Sequence, residues 1–283
     1  MSRDVAAVKA ATLTEALPYI RSWRGRTVVV KIGGAALDDP GLASVVADDI
    51  ALLSLVGIHV VVVHGGGPQV TTAMRRAGIE PTFVDGLRVT DEAAMDIVRG
   101  VLAGVINPDL VARLSAAGIA AVGLDGADGG LLLGEVASAE LGRVGSITHI
   151  EAGVVLSLIG AGFTPVVASI ALDRSGSPLN VNADSVAGAL AAALHAEKLV
   201  ILTNVDGLYR DLGDAGSLVS ELKSDELAEM LAELSAGMRP KAQAAVDALR
   251  AGVEKVHILD GRVPHALLLE IFTDEGSGTQ VLP

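Results

Sequence analysis

Thr27-Val-Val-Val-Lys-Ile-Gly-Gly34 and, further on, Ile58-His-Val-Val-Val-Val-His-Gly-Gly-Gly-Pro68 decide how this chain folds. Each is a β-branched run that stops in a glycine turn, and each is followed by a helical stretch. The first stretch covers about residues 40–56, and the second carries Met74, Arg75 and Arg76. Val/Ile runs without polar alternation suit strands covered on both faces. A repeated unit of strand, turn and helix specifies a parallel α/β sheet. Neither turn has the Gly-x-x-x-x-Gly-Lys-Ser/Thr spacing of a phosphate loop, nor the Gly-x-Gly-x-x-Gly of dinucleotide folds.

At 283 residues the chain is long enough for one large domain or two lobes. It is 51% apolar with one Trp, two Tyr and three Phe, so its core must come from small aliphatic side chains. A formal charge of −13 argues against a general nucleic-acid binder. The absence of cysteine removes disulfides, thiolate catalysis and cysteine-ligated metals. No signal-peptide pattern opens the chain. The uncharged residues 153–172 are broken by Gly160, Gly162 and Pro165 and read as buried, not membrane-spanning. A cytoplasmic protein is expected.

Residues 1–26 carry Val5, Val8, Leu13, Leu17 and Ile20 at helical spacing, with a kink or restart expected at Pro18. That stripe packs on its own domain or docks on a second subunit. Thr90 is placed to cap a helix over 91–106. Strands are expected at 120–124, 165–170, 198–203, 256–259 and 267–272, a hairpin-rich region at 129–147, and a helix at 224–234. The turn at 173–177 offers a lobe boundary. The expected organisation is an N-terminal helical extension (1–26), an acid-substrate lobe (27–178) and a nucleotide lobe (179–283) sharing one sheet.

The chemistry gathers where charges interrupt apolar elements. Leu179-Asn-Val-Asn-Ala-Asp184 is a polar turn feeding the helical run 185–195. Asn182 or Asp184 either caps that helix or orients a polar ligand and holds a lysine. Lys31 ends an apolar strand, as half of a buried ion pair or as an anion-binding cation. Lys241 stands in the first turn of a helix, where a cation opposes the macrodipole unless an anion is bound there. Arg88 is a carboxylate clamp or a surface salt bridge. His64 and His265 have no metal-ligand spacing and receive no catalytic role.

Val-Val-Lys31-Ile-Gly-Gly, Val-His64-Gly-Gly-Gly-Pro-Gln, Gly86-Leu-Arg-Val-Thr-Asp, Asn180-Val-Asn-Ala-Asp184 and Gly237-Met-Arg-Pro-Lys241 occur in this order. Together they resemble the amino-acid kinase family, from about residue 13 to the C-terminus. The tail His257-Ile-Leu-Asp-Gly-Arg-Val-Pro-His265-Ala-Leu-Leu-Leu-Glu270 resembles the branch that phosphorylates N-acetyl-L-glutamate in arginine biosynthesis. The resemblance implies a three-layer αβα sandwich around a mostly parallel sheet. It implies ATP as phosphoryl donor, with Mg²⁺ carried on the nucleotide and no metal held by the protein alone.

By the same resemblance, Lys31 and Lys241 stabilise the transferring phosphoryl group, with Gly34 and Gly66 donating backbone N–H groups, and Asp184 holds both lysines. Gly65, Gly66, Arg88, Asn180 and Asn182 bind the acid. Gly33, Gly34, Asn204, Asp206, Gly207, Tyr209, Ser235 and Met238 bind ATP. The N-terminal helix resembles that of arginine-inhibited members, which form dimers assembled into hexamers. Tyr19, Lys198, His257, Glu270 and Gly276 match their arginine site. Three departures stand out: Ala35-Ala36 where Asn or Ser is common, Asp125-Gly-Ala-Asp128 where Ser-Gly-Lys-Asp is common, and Arg239 in place of an apolar residue. The alternatives are a sibling kinase of another small carboxylic acid and a catalytically weakened arginine sensor.

Overall fold

The computed structural model describes residues 3–84, 86–211, 213–273 and 276–283, with every side chain among them except those of Arg3, Asp4, Ala6, Ala35 and Ala215. The departure at Ala35 therefore lies outside the described side chains. After α1 (Arg3–Trp23) come β1 (Thr27–Ile32), the single turn α2 (Ala35–Asp38), α3 (Pro40–Leu55), β2 (His59–His64) and α4 (Gly67–Arg76). A small hairpin, β3 (Phe83–Val84) and β4 (Leu87–Arg88), leads to α5 (Glu92–Val101). This helix passes through a π turn at Leu102–Ile106 directly into α6 (Asn107–Ala116). Then follow β5 (Ala121–Leu124), β6 (Leu132–Val136), β7 (Val144–Ile150), α7 (Gly153–Gly160), β8 (Thr164–Ala168), β9 (Ile170–Leu172) and β10 (Pro178–Val181). The remainder holds α8 (Ala183–Ala193), β11 (Lys198–Thr203), β12 (Leu208–Tyr209), β13 (Leu218–Val219) and β14 (Glu221–Lys223). The last elements are α9 (Ser224–Met230), α10 (Arg239–Arg250), β15 (Lys255–Asp260), α11 (Ala266–Phe272) and β16 (Thr279–Leu282).

Eight strands form one sheet in the order β14-β16-β15-β11-β1-β2-β8-β5, parallel except where β16 meets β15. Beside it, β6, β7, β9 and β10 close a small barrel. The chain leaves β1 to build β2, β8 and β5 on one side, then returns to place β11 and β15 on the other. Beyond the carboxyl ends of strands that diverge in this way, an α/β sheet opens a crevice. The Gly33–Gly34, Gly65–Gly67 and Asn204 loops all leave the sheet there.

Alternation along β1 splits its side chains between two cores. Val28, Val30 and Ile32 face a layer containing Ile50 and Leu114, and Val29 faces Leu190 and Val246. Lys31 shares the parity of Val29 and so points toward α8. Among the described residues no helix is long and apolar enough to cross a membrane.

Five expectations are corrected. Residues 267–272 form α11, not a strand, and the last strand of the sheet is Thr279–Leu282. A short apolar run has no decisive period, and here Leu and Glu favour a helix after the left-handed turn at His265 (φ 61°). Thr90 is not the cap of α5. Asp91 is, accepting from the Ala94 N–H at 2.8 Å, and the helix continues past 106 to Ala116. No restart occurs at Pro18, because a helix of 21 residues survives one missing bond. The α1 stripe packs on its own domain only at its end: Val8 is 65% and Leu13 70% exposed, whereas Ile20 is half-buried. Helix α9 also stops at Met230, short of the expected 234.

Candidate active site

Lys31, Gly33, Gly34, Gly65, Gly66, Arg88, Asn180, Asn182, Asp184 and Lys241 line a single cavity of about 260 Å³. Asp184 lies at its head, buried in the first turn of α8. Its Oδ1 is 2.9 Å from Lys31 Nζ and its Oδ2 2.9 Å from Lys241 Nζ. The lysines are brought together by separate devices. Strand parity aims Lys31 at α8, and the packing of α10 on α8 delivers Lys241. Gly188 permits that packing, since a Cβ on it would stand 2.9 Å from the Ala244 carbonyl oxygen.

Burial pushes Asp184 up, but the two ammonium groups outweigh it and hold the carboxyl below its ordinary range. Burial lowers the Lys31 pKa, opposed by Asp184 and reinforced by Lys241. Two cations on one anion leave a surplus positive charge at the cavity.

Asn182 caps α8 through its Oδ1, accepting from the N–H groups of Asp184 at 2.8 Å and Ser185 at 3.3 Å. Asn182 thus caps the helix while Asp184 holds the two lysines. Asn180 donates to Thr90 Oγ1 at 3.0 Å, and Thr90 in turn donates to the Arg88 carbonyl at 2.8 Å. Thr90, read from sequence as a cap, is the residue that orients Asn180.

Arg88 makes no salt bridge among the described residues. Its guanidinium donates to the Gly67 carbonyl at 2.9 Å and Thr71 Oγ1 at 2.8 Å, and lies 4.8 Å from the Phe83 ring centroid. It is buried with neutral partners, so its charge is available to a ligand carboxylate. Thr71 carries no sequence signal beyond lying one helical turn into α4.

The residues assigned to the nucleotide gather less tightly. Asn204, at the exit of β11, lies against Gly34, where a Cβ would collide with its amide. With φ at +58°, Gly34 needs glycine for its backbone as well. Asp206 accepts from Tyr209 Oη at 2.6 Å and from Arg262 at 3.3 Å, and Arg262 also grips Asp260 at 2.7 Å. Arg262, which sequence reading passed over, ties the loops after β11 and β15 together. The Ser235 carbonyl accepts the Met238 and Arg239 N–H groups at the start of α10. Asn204, Asp206, Gly207, Tyr209, Ser235 and Met238 lie outside the lining of the first cavity. Asp125 and Asp128 also lie outside it, in a turn where each accepts a backbone N–H of the other's segment. Among the described residues no cluster of three or more acids or histidines could hold a metal ion.

Tyr19, Lys198, His257, Glu270 and Gly276 line a second cavity of about 520 Å³, together with Trp23. Lys198 Nζ is 2.8 Å from Glu270 Oε1, and His257 Nδ1 meets the same oxygen. Burial raises Glu270, but His257 and Lys198 hold it below its ordinary value. Lys198 also lies 5.0 Å from the Trp23 ring centroid, which ties α1 to this cavity.

The amino acid kinase family model matches residues 26–260. An acetylglutamate kinase of Symbiobacterium thermophilum is 51% identical over 97% of both chains. One from Acidothermus cellulolyticus is 52% identical over the whole of both. Among solved structures, N-acetylglutamate synthase from Neisseria gonorrhoeae superposes with a TM-score of 0.86 at 30% identity, over 97% of this chain. This chain spans 63% of that synthase's length. A carbamate kinase from Giardia, at 19% identity and a TM-score of 0.68, shares the fold.

Proposed function

The chain belongs to the amino acid kinase family, and from that premise we propose that it transfers the γ-phosphoryl group of ATP to the side-chain carboxylate of N-acetyl-L-glutamate, a step of arginine biosynthesis. The observation that carries the reading is the bridge of Asp184 between Lys31 and Lys241, beside an Arg88 that lacks an acidic partner among the described residues.

A γ-carboxylate is already ionised at neutral pH and needs no general base. One of its oxygens attacks the γ-phosphorus, the bond to the β–γ bridging oxygen breaks, and ADP leaves with that electron pair. The obstacle is the approach of two anions, so the chain must position them and neutralise the charge spread over the transferring group. Lys31 and Lys241 supply that charge, and Asp184 holds them on one side of the phosphoryl. Gly34 and Gly66 supply backbone donors. Arg88 and Asn180 hold the acid. The Gly34–Asn204 contact and the Asp206–Tyr209–Arg262 set border the nucleotide. Mg²⁺ carried on the ATP phosphates would shield their charge.

Arginine is proposed to bind the second cavity and inhibit, and α1 is proposed to join dimers into a hexamer in the cytoplasm. A coupled ADP-release assay over acetylglutamate, glutamate, aspartate and aminoadipate tests the reading. Turnover with acetylglutamate is expected. Turnover only with another acid identifies a sibling kinase, and none with any acid leaves an arginine sensor.

A further inference from the structure

We propose that His64 and Asn107 are a positioning pair that fixes the plane of the Gly65–Gly66 peptide and thereby aims the Gly66 N–H at the transferring phosphoryl group, an inference that rests on the kinase reading above. His64 ends β2 and is fully buried. Its Nδ1 lies 3.0 Å from the Gly65 carbonyl oxygen. A carbonyl only accepts, so Nδ1 carries a proton. Nε2 lies 3.0 Å from Asn107 Nδ2, which also donates to the Val166 carbonyl at 2.8 Å. An amide nitrogen has two protons; the two short contacts take them and the Leu124 carbonyl, at 3.5 Å, is a third and longer one, so Nε2 is the acceptor. The tautomer is set from both ends. Burial agrees, pushing the imidazole pKa down to about 4 and keeping the ring neutral.

In a trans peptide the carbonyl and the following N–H point in opposite directions across one plane. The Gly65 carbonyl and the Gly66 N–H share such a plane. Held toward His64, the carbonyl turns the N–H away from the ring, and Gly66 borders the cavity containing the lysines. A peptide between two glycines rotates easily, so its orientation needs an external hold. Asn107 supplies the far end of that hold because the π turn at Leu102–Ile106 comes immediately before it. The same turn sets Leu102 and Ile106 against Gly66, where a Cβ would collide with both. Gly123 is likewise bare beside the Asn107 amide, which fills the space a side chain would need. A π turn within a helix commonly marks such a functional demand.

Wild-type turnover of acetylglutamate is measured first, which tests the kinase reading by itself. His64→Asn keeps an N–H donor near the Nδ1 position, whereas His64→Gln moves it to the Nε2 position. His64→Gln is expected to lower kcat on the order of 10²-fold, the scale of losing one backbone-type donor. Its KM for ATP should change less than about threefold, since the donor acts on the transition state. His64→Asn should restore most of the lost kcat. Equal losses in the two variants, or a loss confined to KM, would overturn the proposal. Should either variant fold poorly, ¹⁵N NMR of the His64 ring in the wild type decides alone. A neutral Nδ1–H tautomer throughout about pH 5–8 is expected from its lowered pKa. An Nε2–H tautomer or a protonated ring in that range would sink the idea.

Discussion

Asp184 faces more positive charge than it can neutralise, and in the proposed kinase reaction that surplus is what the cavity offers to a phosphoryl group. Removing either lysine leaves a neutral pair behind. Lys31→Ala or Lys241→Ala should therefore fold but turn over on the order of 10²-fold or more slowly, as for loss of one transition-state donor. Near-normal steady-state kinetics in either variant would reject the assignment. Asp184→Asn does the opposite, leaving two ammonium groups together without their anion. It should be destabilised by about 3–5 kcal/mol, read from urea unfolding. Its carboxyl sits below the ordinary range in the folded state, so it stabilises above that range and the contribution disappears as pH falls through the folded value. His64 acts at higher pH. Its pKa drops from 6.5 to about 4 on folding, so the unfolded chain binds the proton more readily. The stability it permits is complete above the unfolded value and declines as pH falls from there toward the folded one, by roughly 3 kcal/mol in all. Urea midpoints against pH should fall more steeply over that window in the wild type than in His64→Asn; parallel curves would refute the shift.

Elements whose residues repeat with a clear period were legible, and those whose ends depend on tertiary contacts were not. The Val runs of β1 and β2 announce buried parallel strands. Leu267-Leu-Leu-Glu-Ile-Phe272 does not announce a helix, because six apolar-rich residues satisfy either period. Asp91 displaced Thr90 as the cap because the Thr90 hydroxyl is committed to Arg88 and Asn180, a pairing between residues 90 positions apart. The π turn left no signal, since Asn107-Pro108 reads as a helix end when it in fact continues one. Helix α1 was legible as a helix but not in its use. Its apolar stripe is open to solvent at Val5, Val8, Leu13 and Leu17, while Trp23 at its end reaches Lys198 in the second cavity. An uncovered stripe joined to that cavity suits an element that both assembles subunits and transmits a signal. Deleting residues 1–26 should reduce the assembly size in light scattering and abolish inhibition by millimolar arginine, while turnover without arginine persists. A truncated chain that stays fully inhibited would separate α1 from regulation.

At the scale of the whole molecule, the candidate residues were legible because they come in a fixed order along the chain, whereas the geometry that unites them was not. Lys31 and Lys241 are 210 positions apart, and only strand parity and the α8–α10 contact bring them to one carboxylate. The proposed nucleotide side was less legible, because Arg262 works by joining two loops and carries no local pattern. The expected lobes, divided after residue 178, share their hydrogen bonding through one sheet. Strand β1 pairs with β2 from one half and β11 from the other, and β10 itself runs across the division from Pro178 to Val181. Both hydrophobic cores also draw residues from both halves: Val29 packs with Ile201, and Val30 with Val200 and Leu259. Unfolding one half would strip β1 of a partner and expose both core layers of the other. The lobes should therefore move relative to each other without unfolding separately. Calorimetry should give one cooperative transition. ATP with Mg²⁺ and acetylglutamate, each added alone, should raise that same transition, by about 2.7 kcal/mol at a hundredfold excess over Kd. Two resolved transitions, each shifted by only one ligand, would show that the continuous sheet does not couple the halves.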